Sequence, residues 1–265
     1  MTISEMSLQE IKETAFNILK TFKVFCEENG INYYLSNGTL LGAVKYQGFI
    51  PWDDDIDVFV PREDYNKLIA VYKDTQKYKL YSSERVVEYK FPFAKLCDMS
   101  TRKVEANIDN GVNLGIEIDI FPLDNCTKHI LEPRVMKKLK RCQIACILSK
   151  MESVKGKTIY KRLIINYCKY RGYRYYADRM LDIVNKESAL GSTHKGCMVW
   201  PIYGEREVVS ADVFSSVVEV EFEGEKFPAP IGYENYLSSL YGNYRKDPPI
   251  EKQKTHHFFK AYRID

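Results

Sequence analysis

Two segments of this chain alternate carboxylates with branched apolar residues, Asp55-Ile56-Asp57-Val58 and Ile116-Glu117-Ile118-Asp119-Ile120. A period of two puts the acids on one face of an extended strand and the aliphatic side chains on the other. The first predicts a strand from Asp55 to Val60 and the second a strand from Leu114 to Ile120, each half-buried with its acids turned to a polar cleft. If these strands are neighbours in one sheet, Asp55, Asp57 and Asp119 converge, and carboxylates so gathered suit a hard divalent cation. The fold must then hold a sheet that is apolar on one side and acidic on the other.

The remaining pattern mixes helices with strands and so predicts an α+β chain. Ser7 to Asn29 reads as a helix opened by a capping box, Ser7 with Glu10, and carries Ile11, Ala15, Ile18, Phe22 and Phe25 on one stripe before Asn29-Gly30 stops it. Ile31 to Leu35 reads as a short strand, followed by a turn at Ser36-Asn37-Gly38-Thr39 and a small-residue helix through Tyr46. A strand feeding a glycine turn and then a helix presents free backbone N–H groups, which suits a phosphate. Arg62 to Lys73 reads as a helix, weaker strands follow between Tyr78 and Asp98, and Phe121-Pro122-Leu123-Asp124 is expected to end the second acidic strand. Beyond it come a helical stretch from Glu132 to Lys186, strands near Met198–Tyr203 and Val217–Phe222, a Gly224 turn, a Pro228/Pro230 loop and a helix from Tyr233 to Tyr241.

The 265 residues carry a net charge of only +3, but the charge is segregated. Between Arg134 and Arg179 fourteen Lys or Arg face two acids, a net +12, and the remainder carries −9. Such asymmetry points to anionic partners for the basic stretch and to cations for the acidic one. For the basic stretch three readings compete: contact with anionic membrane headgroups, binding of an anionic acceptor polymer, and a solvated helical face; no motif supports nucleic acid. The seven cysteines form no C-x-x-C pair, and with four histidines they argue for reduced thiols rather than a disulfide framework or zinc. The amino end lacks the basic and apolar regions of a signal peptide, and no uncharged run is long enough to span a bilayer, so a cytoplasmic protein is expected.

Other readings of the acidic segment can be weighed. A solvated loop would not alternate with Ile56 and Val58. In a calcium loop beginning at Asp53, Val58 would occupy the position that requires glycine and Pro61 would interrupt the loop. A sugar-nucleotide glycosyltransferase places its Asp-x-Asp after a nucleotide-binding half, whereas here a helix comes first and Gly38-Thr39 precedes the acids.

Tyr34-Leu35-Ser36-Asn37-Gly38-Thr39-Leu40-Leu41-Gly42-Ala43-Val44, continued by Gly48-Phe49-Ile50-Pro51-Trp52-Asp53-Asp54-Asp55-Ile56-Asp57 and by Arg62-Glu63-Asp64-Tyr65, closely resembles the LicD family of phosphocholine transferases, related to fukutin. Ile116 to Asp124 and the tail Leu240-Tyr241-Gly242-Asn243-Tyr244 with Pro248-Pro249 and His256-His257 are similar to it as well, although Asn243 stands where members often carry Asp. The resemblance implies a nucleotidyltransferase-type mixed β-sheet flanked by helices: a core over residues 1–127, an added basic helical region over 128–196, and a C-terminal part, 197–265, returning to complete the cleft. It implies transfer of phosphocholine from CDP-choline to a hydroxyl of a cell-surface glycan or lipid-linked glycan acceptor, with release of CMP and with Mg²⁺ or Mn²⁺ as cofactor. Gly38 and Thr39 would match the phosphate turn, Asp55 and Asp57 the metal pair, and Asp119 the third acid, as metal ligand or as proton acceptor. Arg62 and Lys95 are candidates for phosphate charge, Trp52 for the quaternary ammonium, and His256 for phosphate contact or proton transfer. Transfer of glycerol-phosphate, ribitol-phosphate or a nucleoside monophosphate, and a catalytically silent glycan- or membrane-binding module, are the alternatives.

Overall fold

The computed structural model of the protein describes residues 3–255 and 259–264. After β1 (Ile3–Glu5) comes α1 (Leu8–Asn29), opened by the expected capping box: the Ser7 hydroxyl accepts from the Glu10 N–H at 3.3 Å and the Glu10 carboxylate accepts from the Ser7 N–H at 2.9 Å. Gly30 closes the helix in the left-handed region at φ 57°. Next come β2 (Tyr34–Leu35), α2 (Asn37–Tyr46), β3 (Asp57–Pro61), α3 (Arg62–Val71), β4 (Tyr78–Tyr81), β5 (Ala94–Asp98), β6 (Thr101–Glu105) and β7 (Ile116–Cys126). Three helices follow, the basic α4 (Pro133–Ser149) and α5 (Ile159–Arg171) and the charge-balanced α6 (Tyr173–Ser188), then β8 (His194–Gly196), β9 (Val209–Ser210), β10 (Val217–Phe222), β11 (Glu225–Pro230), α7 (Tyr233–Tyr241) and β12 (Phe259–Ile264).

The main sheet has the order β2-β3-β7-β5-β4, with β8 added beside β7 and β9 beside β8. It is a mixed sheet: β3 and β7 run parallel, and the neighbouring pairs are antiparallel. The two acidic strands of the sequence are therefore adjacent. A parallel pair needs a long crossover, and the connection between these two carries α3, β4, β5 and β6. A separate three-stranded sheet, β1-β12-β6, joins the two ends of the chain, and β10 and β11 form a hairpin. One buried apolar cluster extends from Met6 to Ala261 and includes Ile18, Phe22, Val58, Ile118 and Ile120.

Several expected boundaries move, each for a local reason. Asp55 lies ahead of β3, in a loop where the Asp53 N–H bonds the Ile50 carbonyl. The strand expected to stop at Phe121-Pro122-Leu123-Asp124 continues to Cys126, because Pro122 falls between two antiparallel partners: pairing with β5 ends at Ile120 and pairing with β8 begins at Asp124. Pro228 and Pro230 lie in a strand rather than a loop. The Ile231 N–H bonds Ser216 across the hairpin, so the even-numbered positions that the prolines occupy face away from β10 and lose no ladder bond. Met198–Tyr203 forms no strand, since Pro201 sits in a tight turn closed by the Ile202 N–H on the Trp200 carbonyl, and the pairing falls instead to β8 and β9.

The loop after α2 folds back over that helix at Gly42, where an added Cβ would stand 2.4 Å from the Gly48 carbonyl oxygen. Gly42→Ala should therefore cost about 1–3 kcal/mol in stability. Urea unfolding will measure this, and an unchanged midpoint would contradict the close approach.

Candidate active site

The register of the main sheet builds the site. Asp57 on β3 stands opposite Asp119 on β7, and Asp119 stands opposite Lys95 on β5. Adjacent strands lie about 4.8 Å apart, and residues in register share a face, so an Asp–Asp–Lys row crosses three strands. The Lys95 ammonium contacts the Asp119 carboxylate and lies 3.1 Å from Glu117 Oε1, which Lys103 of β6 also reaches at 2.6 Å. Burial opposes a charge on Lys95, yet Asp119 and Glu117 outweigh it and hold the ammonium above its ordinary range. Glu117 is likewise pushed up by burial, but Lys103 and Lys95 together keep it below the usual carboxylate value.

Asp57 lacks such compensation. Burial, followed by the charges of Asp55, Asp119 and Asp53, drives its carboxyl well above the normal range, against a hydrogen bond from Asn37. Asp119 is also raised by burial, with Lys95 opposing. The backbone of Asp57 is fastened to the start of α2 on both sides: its N–H donates to Thr39 Oγ1 at 2.8 Å and its carbonyl accepts from the Ser36 N–H at 3.1 Å. Asn37, in the left-handed region at φ 45°, accepts from the Tyr236 hydroxyl at 2.8 Å. Gly38 lies in the first turn of α2, where a Cβ would come 2.8 Å from Asp53 Oδ2. The N-cap Ser36 hydroxyl is fully buried and has no hydrogen-bond partner.

The acidic segment borders two cavities. One of about 200 Å³ is lined by Asp54, Asp55, Asp57, Asp119 and Lys95, with Trp200 and Phe93 among its apolar walls. The other, about 660 Å³, holds Gly38 and Asp53 and has an aromatic wall that includes Tyr46, Trp52, Tyr203 and Tyr241. Lys45, Lys246, Lys252 and Lys254 also line it, as does Asp247, which pairs with Lys45 and accepts from the Tyr46 hydroxyl. Carboxylate oxygens of Asp53, Asp54 and Asp55 all lie within 4.8 Å of one another. Asp53 and Asp54 thus belong with the acids singled out in the sequence.

Of the expected site residues, Asp55, Asp57, Asp119 and Lys95 meet at the smaller cavity, and Gly38 and Trp52 at the larger. Thr39 is buried and its hydroxyl holds the Asp57 backbone rather than facing a cavity. Arg62 is not brought to the site: it is bound bidentately by buried Asp124, at 2.6 and 2.9 Å, and latches α3 to the end of β7. His256 lies outside the described residues. The sequence offered no signal for Lys103 and Glu105, which join the smaller cavity from β6, or for Lys150. Burial, aided by the nearby charge of Lys95, pushes the Lys150 amine down to about 7, and its Nζ stands 3.2 Å from the Phe91 ring centroid. Tyr203 and Tyr241, with their hydroxyls 3.3 Å apart, come from separate segments and meet only in the fold.

A raised carboxyl pKa contributes stability below the unfolded value, about 3.9, and that contribution is lost as pH rises through the folded value. Asp57→Asn should therefore unfold at a higher temperature than the parent near pH 7.5 in a chelator, by on the order of 1 kcal/mol, with the advantage vanishing near pH 4. Thermal melts at the two pH values will decide, and a variant less stable at pH 7.5 would refute the electrostatic account of Asp57.

The family described as LicD/FKTN/FKRP, nucleotidyltransferase domain, matches residues 30–145, which contain α2, the acidic loop and the three central strands of the site. Over 270 aligned residues the chain is 30% identical to lipopolysaccharide cholinephosphotransferase LicD of Haemophilus influenzae, covering 98% of this chain and 99% of that protein. A shorter match, 37% identical over 57 residues, relates 22% of this chain to 11% of the human ribitol 5-phosphate transferase FKRP. Similarity that runs nearly end to end, together with the family match over the site, establishes that the chain belongs to the LicD family and is a phosphotransferase.

Proposed function

We propose that this enzyme transfers phosphocholine from CDP-choline to a hydroxyl of a cell-surface glycan precursor and releases CMP. The observation that carries the reading is the larger cavity, which joins an aromatic wall to the N-terminus of α2 and to Asp53. A quaternary ammonium is attracted to the faces of Trp and Tyr, and a diphosphate to free N–H groups at a helix start. The near full-length similarity to a lipopolysaccharide cholinephosphotransferase supports the same donor and a glycan acceptor.

The residues present fit a divalent ion: the donors are all carboxylate oxygens, three of them gathered within 4.8 Å, and the buried Asp57 carries repulsion from its neighbours that a cation would relieve. Asp55, Asp57 and Asp119, with Asp53 and Asp54 beside them, would hold Mg²⁺ or Mn²⁺, which supplies positive charge to the phosphate oxygens of the donor. The chain's own groups do the rest. The start of α2, bare at Gly38, orients the diphosphate, and Trp52 and Tyr46 receive the trimethylammonium. Lys246, in the same cavity, offsets donor charge, and Lys45 contributes through its pair with Asp247. The acceptor oxygen attacks the phosphorus that carries choline, the bond from that phosphorus to the CMP oxygen breaks, and the hydroxyl proton passes to a carboxylate of the cluster. The match to a ribitol 5-phosphate transferase supports a second reading, in which a CDP-linked polyol takes the place of CDP-choline.

CMP release measured with CDP-choline, CDP-glycerol and CDP-ribitol in Mg²⁺ separates these readings, and equal turnover of all three would sink the choline assignment. Asp57→Ala should lower turnover by about 10³-fold. Trp52→Ala should raise KM for CDP-choline by up to about 30-fold, the equivalent of about 2 kcal/mol, while leaving the polyol donors little changed.

A further inference from the structure

In α5 the residues a soluble helix would bury are turned outward. Ile159, Leu163, Tyr167 and Tyr170 are 76%, 63%, 60% and 84% exposed, and at about 100° per residue they fall within an arc of about 80°. The face that packs on the protein holds only Ile165 and Cys168 among buried residues. From Lys155 to Arg171 there are six cations and no carboxylate, and all six are exposed. Tyr167 also lines a cavity of about 690 Å³ formed with α4 and α6, where Lys138, Arg141, Arg179 and Lys186 outnumber one acid, Asp182.

We propose that α5 is a membrane-docking helix, which lays its Ile159–Tyr170 stripe into the interface of an anionic bilayer while the cavity beside Tyr167 receives lipid phosphate. Each half of the surface selects for this partner. A soluble polyanion such as a glycan or nucleic acid would reward the cations but leave Leu163 and Ile159 in water. A second copy of this chain would cover the apolar stripe but oppose one strongly basic surface with another. An anionic lipid surface rewards both, since a helix with an apolar stripe and flanking Lys and Arg settles in the headgroup layer and tyrosine is at home at that boundary. No described helix is long and apolar enough to cross a membrane, so the contact is made along the surface.

The test is sedimentation of the full chain with phosphatidylcholine vesicles and with vesicles containing 30% phosphatidylglycerol, the latter in low and high salt and with dextran sulfate as a competing soluble polyanion. The expected result is binding at least about tenfold tighter to anionic than to neutral vesicles, weakened by salt. Leu163→Asn should reduce binding to anionic vesicles by about tenfold and leave dextran sulfate binding unchanged. Tyr170→Asn, at a more exposed position, serves as a second variant with the same expectation, and a melting curve for each checks that the fold is kept. Equal binding to both kinds of vesicle, no binding to either, or variants that bind anionic vesicles as tightly as the parent would overturn the proposal, the last in favour of a purely ionic, polymer-binding surface.

Discussion

The parallel contact between β3 and β7 is the constraint on which the rest of the molecule depends. It brings together two strands separated by more than fifty residues, in the one register that sets Asp57 opposite Asp119. Like charges on neighbouring strands repel, and burial magnifies the repulsion. The fold answers on one flank only: β5 brings Lys95 against Asp119, and Lys103 from β6 supports Glu117 behind it. On the other flank Asp57 is held by its backbone, clamped to Ser36 and Thr39, while its carboxyl is left among further acids. A strand end that repels its neighbours stays in place because main-chain bonds secure it. Uncompensated charge of this kind, at a cleft, is a mark of a functional site rather than of a structural ion-pair network.

The same logic explains the two glycines of α2. Gly38 leaves room for the Asp53 carboxylate, and Gly42 for the returning chain at Gly48. The helix start, the acidic loop and the first residue of β3 thus form one interlocked unit, stitched by hydrogen bonds at Asp57 and by close approach at two glycines. The hairpin of β10 and β11 braces it from outside, where the Glu223 carboxylate accepts from the Phe49 N–H and the Glu223 N–H bonds the Gln47 carbonyl.

Much of this could be read from the residues because it is written locally. The alternation of Ile116 to Ile120, the capping box at Ser7 and the helix from Tyr233 to Tyr241 depend on near neighbours in sequence, and each appears in the structure. What could not be read depends on which strands become partners. Arg62 is a surface-type residue by composition, and only the fold shows Asp124 waiting for it across 62 positions. Pro122, Pro228 and Pro230 are breakers by rule, and the rule fails where the missing N–H has no partner to lose. The aromatic wall of the larger cavity draws on Tyr46, Trp52, Tyr203 and Tyr241, which carry no shared motif until the chain has returned.

The position of β12 bears on how the enzyme is made. This strand, the last described, pairs on one side with β1, the first, and on the other with β6, which supplies Lys103 and Glu105 to the smaller cavity. Phe259 of β12 lies under Lys103, with the ammonium 4.3 Å from its ring centroid, and lines the same cavity. A nascent chain that has emerged only as far as α7 holds every acid of the cluster and both lysines, but lacks the strand against which β6, and with it Lys103, is seated. Pairing of β12 thus ties the seating of Lys103, the partner of Glu117, to a segment more than 150 residues further along the chain.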